Sequence, residues 1–127
     1  MSIERILHQG APTPRGPYSS AVRAGDFIFV SGLGPVDDND QYAFGDIQQQ
    51  TRQTLLNLTK ILTSCGARLE DVVKCSIFLR DASEFHKMNA VYTEFFSAPF
   101  PSRTALGAGL RDILVEINAI AYVGGAA

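Results

Sequence analysis

Apolar and polar positions along the chain change period several times, and each change marks an element. Residues 1 to 17 hold no steady period, because Gly10, Pro12, Pro14, Gly16 and Pro17 break any regular element. Tyr18-Ser-Ser-Ala-Val-Arg has β character, Gly25-Asp26 is a hairpin signal, and Phe27-Ile-Phe-Val-Ser31-Gly32 follows as a short, mostly apolar strand. Pro35 to Asp40 is polar and turn-like. From Asp46 the period becomes helical: Ile47, Thr51, Leu55, Leu58, Ile61, Leu62 and Cys65 fall on one stripe, Asp46 with Gln49 makes a capping box, and Gly66 supplies the stop. Val72 to Leu79 alternates as a strand with Val73, Cys75, Ile77 and Leu79 on one face. Asp81-Ala-Ser-Glu84 caps a second helix to about Ser97, whose Phe85, Met88, Tyr92, Phe95 and Phe96 sit at helical spacing and read as core.

Pro99 and Pro101 end that helix and deliver the chain to a stretch of unusual composition. In the strand that begins there, one face reads Arg103, Ala105, Gly107, Gly109 and the other Thr104, Leu106, Ala108, Leu110. A long, permanently charged guanidinium followed by three positions with almost no side chain leaves room above the sheet for something other than protein. In the last strand Val115, Ile117, Ala119, Ala121 and Val123 form a clean apolar face, while Leu114, Glu116, Asn118, Ile120 and Tyr122 form a mixed one. With Arg111-Asp112 as a two-residue hairpin tip, Gly107 lies opposite Glu116. Arg103 and Glu116 then share a face, roughly 13 Å of strand apart. The alternative reading of the pair is a surface arginine and a solvated edge glutamate.

The order is strands, helix, strand, helix, strand, strand, without repeat or linker. This predicts one α+β domain over residues 1–127, a single mixed β-sheet with two amphipathic helices packed on one face. The other face is mixed and would stay wet in a single copy, which points to burial against further copies of the chain. The chain has 127 residues, 46% of them hydrophobic and 19% charged, as in a packed globule. A net charge of −2 speaks against nucleic acid as a partner, and no apolar run reaches the length of a bilayer span. Met1-Ser-Ile-Glu-Arg-Ile-Leu has no signal-peptide layout, and Cys65 and Cys75, ten apart, read as reduced thiols, so the expected location is cytoplasmic. His8 and His86 are too few and too scattered for a zinc site, and no metal or other cofactor is expected.

Gly32-Leu-Gly34-Pro35 lacks the third glycine and the following helix of a dinucleotide loop, and Ser31 lies outside any G-x-S-x-G elbow. Ser31 and Gly32 end a strand, either as a plain turn or with hydroxyl and N–H aimed into a cleft. Asn89 makes either a helix–loop hydrogen bond or a contact within a site. Arg103 with Glu116 has a chemical logic of its own. An arginine fork grips a carboxylate at two points, and a carboxylate beside it can hold a water and move protons. Such a pair, with no nucleophile, metal or cofactor loop, suits addition of water to an already activated substrate.

Pro14-Arg-Gly-Pro-Tyr18-Ser-Ser-Ala-Val, Phe29-Val-Ser31-Gly32, Asp71-Val-Val-Lys-Cys-Ser-Ile-Phe-Leu79, Asn89-Ala-Val-Tyr-Thr-Glu-Phe-Phe96, Pro101-Ser-Arg103 and Val115-Glu116-Ile together resemble the Rid (reactive intermediate deaminase, YjgF-type) family, over nearly the whole chain and in family order. The resemblance implies a chorismate-mutase-like fold and a homotrimer packed through its sheets, with clefts between subunits. Its RidA branch hydrolyses 2-imino and 2-enamino acids to 2-keto acids and ammonia. By the same resemblance Arg103 binds the substrate carboxylate and Glu116 positions the attacking water. Tyr18, Ser31, Gly32 and Asn89 line the pocket, and the backbone at Ala105 contributes a carbonyl. Ala105 stands where RidA members commonly carry cysteine, Leu33 replaces a common glutamine, and the Arg103–Glu116 segment is about two residues shorter than in typical members. An altered rim leaves open a different substrate, such as the enamine dicarboxylate 2-aminomuconate. A non-catalytic carboxylate-binding trimer, acting as a metabolite sensor, is the rival from another class. The ribonuclease activity known of some relatives is disfavoured by the acidic balance and by the lack of a histidine matched to the site.

Overall fold

In the computed structural model, which describes residues 2–43 and 45–124, six strands form one sheet in the order β1-β2-β3-β6-β4-β5. The strands are β1 (Ile3–Ile6), β2 (Ala21–Ala24), β3 (Phe27–Leu33), β4 (Val72–Leu79), β5 (Ser102–Gly107) and β6 (Val115–Tyr122), with helices α1 (Ile47–Ser64) and α2 (Phe85–Phe95) between them. The sheet is mixed: β5 runs parallel to β4, and every other pairing is antiparallel. Both helices cover one face, and the core is built where they meet it, with Leu55, Leu58, Ile61 and Leu62 of α1 and Met88 and Val91 of α2 against Ile28, Ile77 and Ile117. The expected fold class, a single mixed sheet with two helices on one face, is the one observed. No described helix is long and apolar enough to cross a membrane.

Local signals act as their chemistry dictates. Asp46 caps α1 by accepting from the Gln49 N–H while Gln49 reaches back to the Asp46 N–H, which is the reciprocal box. Gly66, at a φ of 76°, turns the chain out of the helix in a conformation that favours glycine. Gly25, also at positive φ, closes the β2–β3 hairpin. The second helix begins later than its cap suggests, because Ala82–Glu84 forms a 3-10 turn, and it ends at Phe95 rather than near Ser97.

Three expectations fail. The supposedly irregular start contains β1, whose four residues are mostly exposed and pair along one edge of the sheet with β2. Three prolines and two glycines downstream hide so short a strand. Val73 does not share the core face with Cys75, Ile77 and Leu79; a shift of register after Val72 turns Val72 inward and leaves Val73 exposed. The third failure bears most on function: Arg111-Asp112 is not a hairpin tip. β6 lies between β3 and β4, whereas β5 lies outside β4 at the far edge. The chain leaving β5 crosses the end of β4, where the Ala108 N–H donates to the Leu79 carbonyl and the Arg80 N–H to the Leu114 carbonyl. Arginine followed by aspartate lacks the positive-φ tolerance a two-residue hairpin needs, and β4 offers both neighbours a ladder instead.

Candidate functional site

Arg103 is the second residue of β5, directly opposite Cys75, and Ala105 is opposite Ile77. Cys75 and Ile77 are wholly buried beneath the helices, so Arg103 and Ala105 project on the helix-covered side, at the sheet's edge where that cover is incomplete. There the guanidinium meets one stripe of α2. Phe85, Asn89 and Tyr92 follow one another at four and then three residues, which places them on a single helix face. Arg103 Nη1 donates to Asn89 Oδ1 at 2.7 Å. Its guanidinium carbon stands 4.8 Å from the centre of the Tyr92 ring and 5.2 Å from that of Phe85, within cation–π range. A cleft of about 380 Å³ opens beside these groups, lined by Asn89, Tyr92, Thr93, Phe100, Pro101 and Arg103. Among the described residues no carboxylate pairs with Arg103.

Beneath Arg103 the environment is dry. Burial pushes the Cys75 thiol up to about 11, against the pull of the Tyr92 hydroxyl and of Arg103. Burial likewise raises the Tyr92 hydroxyl above its ordinary value, with the Cys75 thiol beside it adding to the effect. Among the described residues Tyr92 Oη has no near neighbour to bond other than the Cys75 thiol, and the ring stacks on Phe96 with centres 4.7 Å apart.

Glu116 is the second residue of β6, opposite Phe78, and alternates with the buried Val115 and Ile117. It therefore projects on the face that the helices leave bare. The β3–β6 register slips between Val30 and Leu33, and this bulge delivers Ser31 and Gly32 next to Glu116. A Cβ placed on Gly32 would come within 2.8 Å of Glu116 Oε2, so only glycine leaves the carboxylate where it lies. The Ser31 hydroxyl donates to the Ser19 carbonyl at 2.7 Å and thereby ties β3 to the segment before β2. Tyr18 is exposed, accepts from the Arg15 N–H through its hydroxyl, and shares a shallow recess with Ser31. A second cleft, of about 310 Å³, lies on the Glu116 side between Tyr42 and residues 109–113.

The structure thus brings Arg103 to Asn89, with Ala105 next along the strand, and Glu116 to Gly32. It does not bring Arg103 to Glu116. Within one copy the two project from opposite faces of the sheet, and the expected shared face is overturned because it required the β5–β6 hairpin.

Other contributors were not singled out. Gln50 and Asn57, seven apart on α1, are polar yet buried. The Asn57 amide donates to the carbonyls of Gly34 and Val36, and Gln50 accepts from the Leu114 N–H while donating to the Gly45 carbonyl. Arg80 donates to the carbonyls of Leu110 and Arg111. Together they fix the loops around the Glu116 cleft. Polar residues placed one helical repeat apart beside an apolar stripe were the available signal. Phe85 and Tyr92 were read as core alone; Tyr92 is core and also one wall of the Arg103 cleft.

Comparison with known proteins agrees with this architecture. The family model described as endoribonuclease L-PSP matches residues 8–123. The 3-aminoacrylate deaminase RutC of Acinetobacter baylyi is 40% identical over 126 residues, which cover 97% of this chain and 100% of that protein. A 2-iminobutanoate/2-iminopropanoate deaminase of Dermatophagoides farinae is 35% identical over 127 residues, covering 97% and 99%. The solved structure of YyfA from Yersinia pestis, a member of the conserved Rid family, superposes with a TM-score of 0.90 at 31% identity, covering 96% of this chain and all of that one. With a family match along most of its length and relatives of this identity spanning it nearly end to end, the chain belongs to the endoribonuclease L-PSP family, the Rid or YjgF-type family that its motifs resemble.

Proposed function

We propose that this protein is a deaminase that hydrolyses 2-imino or 2-enamino acids to 2-keto acids and ammonia, at sites completed between copies of the chain in a homotrimer. The observation that carries the reading is a half-buried guanidinium with no carboxylate partner among the described residues, at the mouth of a cleft of small-molecule size. Two relatives that cover the whole chain carry names of deaminases acting on an enamine and on imines of small carboxylic acids. Both substrate types present one carboxylate beside a polarised C=N or C=C–N unit.

The opposite orientations of Arg103 and Glu116 support a shared site. A sheet with Phe27, Phe29, Leu106 and Tyr122 exposed by 40% or more on its bare side leaves an apolar face that suits burial against other copies. Such packing sets the Glu116 face of one subunit against the β5 edge of the next. Arg103 then anchors the substrate carboxylate, with Asn89 holding the guanidinium and Tyr18, Ser31 and Gly32 bordering the pocket. Glu116 of the partner subunit and the backbone carbonyl at Ala105 hold a water over the imine carbon. As the C–O bond forms, Glu116 takes a proton from the water, giving a carbinolamine, and returns a proton to the nitrogen. The C–N bond then breaks, the remaining hydroxyl yields the keto group and its proton, and ammonia leaves.

Generating 2-iminoacids in place with an amino-acid oxidase and following keto-acid release tests the reading. Wild type accelerates release, and Arg103→Ala and Glu116→Gln each lose roughly ten- to hundred-fold or more. Co-expressing these two defective variants restores about a quarter of wild-type activity, since random mixing leaves one interface in four with both groups intact. Absence of any acceleration together with tight keto-acid binding would favour the sensor. A preference for 2-aminomuconate over small iminoacids would assign a dedicated pathway step. RNA cleavage, suggested by the description of the family model, is disfavoured by a net charge of −2 and by two clefts that no histidine lines.

A further inference from the structure

We propose that Phe85 and Tyr92 are positioning residues for the reaction: an aromatic clamp that fixes the direction of the Arg103 guanidinium without neutralising it. The proposal rests on the reading of Arg103 as the carboxylate anchor and adds how that anchor is made ready. Arg103 has a long side chain and sits on an edge strand, where four rotatable bonds would let it wander. A protein ordinarily stills such a side chain with an aspartate or glutamate. Here that solution would defeat the purpose, because an internal carboxylate competes with the substrate's for the same fork. α2 supplies instead two aromatic faces and one neutral amide oxygen, at positions 85, 92 and 89 of one helical stripe.

A ring face attracts the cation through its quadrupole and leaves every N–H edge free. Arginine tolerates this because its guanidinium is planar and weakly hydrated. Asn89 occupies Nη1 alone, and among the described residues the side chain donates to no other acceptor, so the remaining N–H groups are available to a ligand. The clamp is itself held rigid. Tyr92 is nearly buried and stacks on Phe96, and the Cys75 thiol lies on the floor opposite Arg103. The Tyr92 hydroxyl is turned toward the Cys75 thiol, so it is the ring that Arg103 meets.

The test combines spectroscopy with binding. In the wild-type protein the Arg103 Nε–H gives a resolved 15N–1H signal displaced by ring current, and Tyr92→Leu and Phe85→Leu each move it toward the position of a free arginine. Binding of 2-oxobutanoate, followed by calorimetry, weakens roughly three- to thirty-fold in each leucine variant, and KM for the imine rises by a similar factor while kcat changes less. Tyr92→Phe, which keeps the ring, rescues both readouts. Phe85 is only partly buried, so Phe85→Leu keeps the test open if Tyr92→Leu fails to fold. An undisplaced Nε–H in wild type, unchanged binding in a folded leucine variant, or Tyr92→Phe as damaged as Tyr92→Leu would overturn the clamp. Arg103→Ala binding 2-oxobutanoate as tightly as wild type would instead remove the anchor reading, and the clamp's role with it.

Discussion

Arg103 and Cys75 face one another across the parallel β4–β5 pair, and the same dry surroundings act on them in different ways. Around the guanidinium, aromatic faces and an amide take the place of water. The thiol stays protonated because the pull of the Tyr92 hydroxyl and of Arg103 repays only part of the loss of solvation for its anion. With its folded value raised from 9.0 to about 11, Cys75 adds stability that is fully present below pH 9 and is lost as pH rises toward 11. The expected slope is about 1.4 kcal/mol per pH unit across that window, and Cys75→Ala removes it, as urea titrations at several alkaline pH values would show. Gly32 offers a second check. Gly32→Ala pushes the Glu116 carboxylate from its place, so activity falls by about ten-fold or more while the urea midpoint moves little. At this scale the sequence was informative wherever chemistry is carried by residue type. Arg103 announced a cation at a cleft, but that cleft is lined by Asn89, Tyr92, Thr93, Phe100 and Pro101, not by Ala105 or Gly107, and Gly107 lies against Ala82 where open space was expected.

Between residues and the molecule lie the elements, and here the chain was easiest to read where local signals agree. Asp46, Gln49 and Gly66 bracket α1 with a capping box and a positive-φ exit, all visible in the sequence. The alternation of β6 assigned its core face correctly, since Val115, Ile117, Ala119 and Ala121 are all buried. What failed was the partner of the last strand, although the β2–β3 hairpin formed as its Gly25-Asp26 turn signalled. Sequence neighbours usually pair, and β5 and β6 do not, because β6 gains two antiparallel neighbours by crossing to the other side of β4. That choice leaves a long crossing segment needing support, which α1 provides where Gln50 accepts from the Leu114 N–H, while Asn57 holds the segment that follows β3. Asn57→Ala, which strands the carbonyls of Gly34 and Val36, should cost about 2–3 kcal/mol in a urea unfolding curve, well beyond the loss from a surface asparagine.

At the scale of the whole molecule, the sheet divides the labour. Its covered side is a conventional core whose rim carries Arg103, the proposed anchor for an acid group. Its bare side carries Glu116 among Phe27, Phe29, Ile120 and Tyr122. The mixed face of the last strand was legible. The side on which each charged residue projects was not, because a parallel edge strand reverses the relation that a hairpin would have imposed. The opposite projection of the two groups also bears on kinetics. With the site shared between copies as proposed, a lone chain is folded yet holds only half of the chemistry, so folding and turnover become separable quantities. Diluting the enzyme below the concentration at which copies stay together should make initial rate fall faster than in proportion to protein, with circular dichroism unchanged, and adding the inactive Arg103→Ala chain to such a dilute sample should raise the rate instead of leaving it untouched.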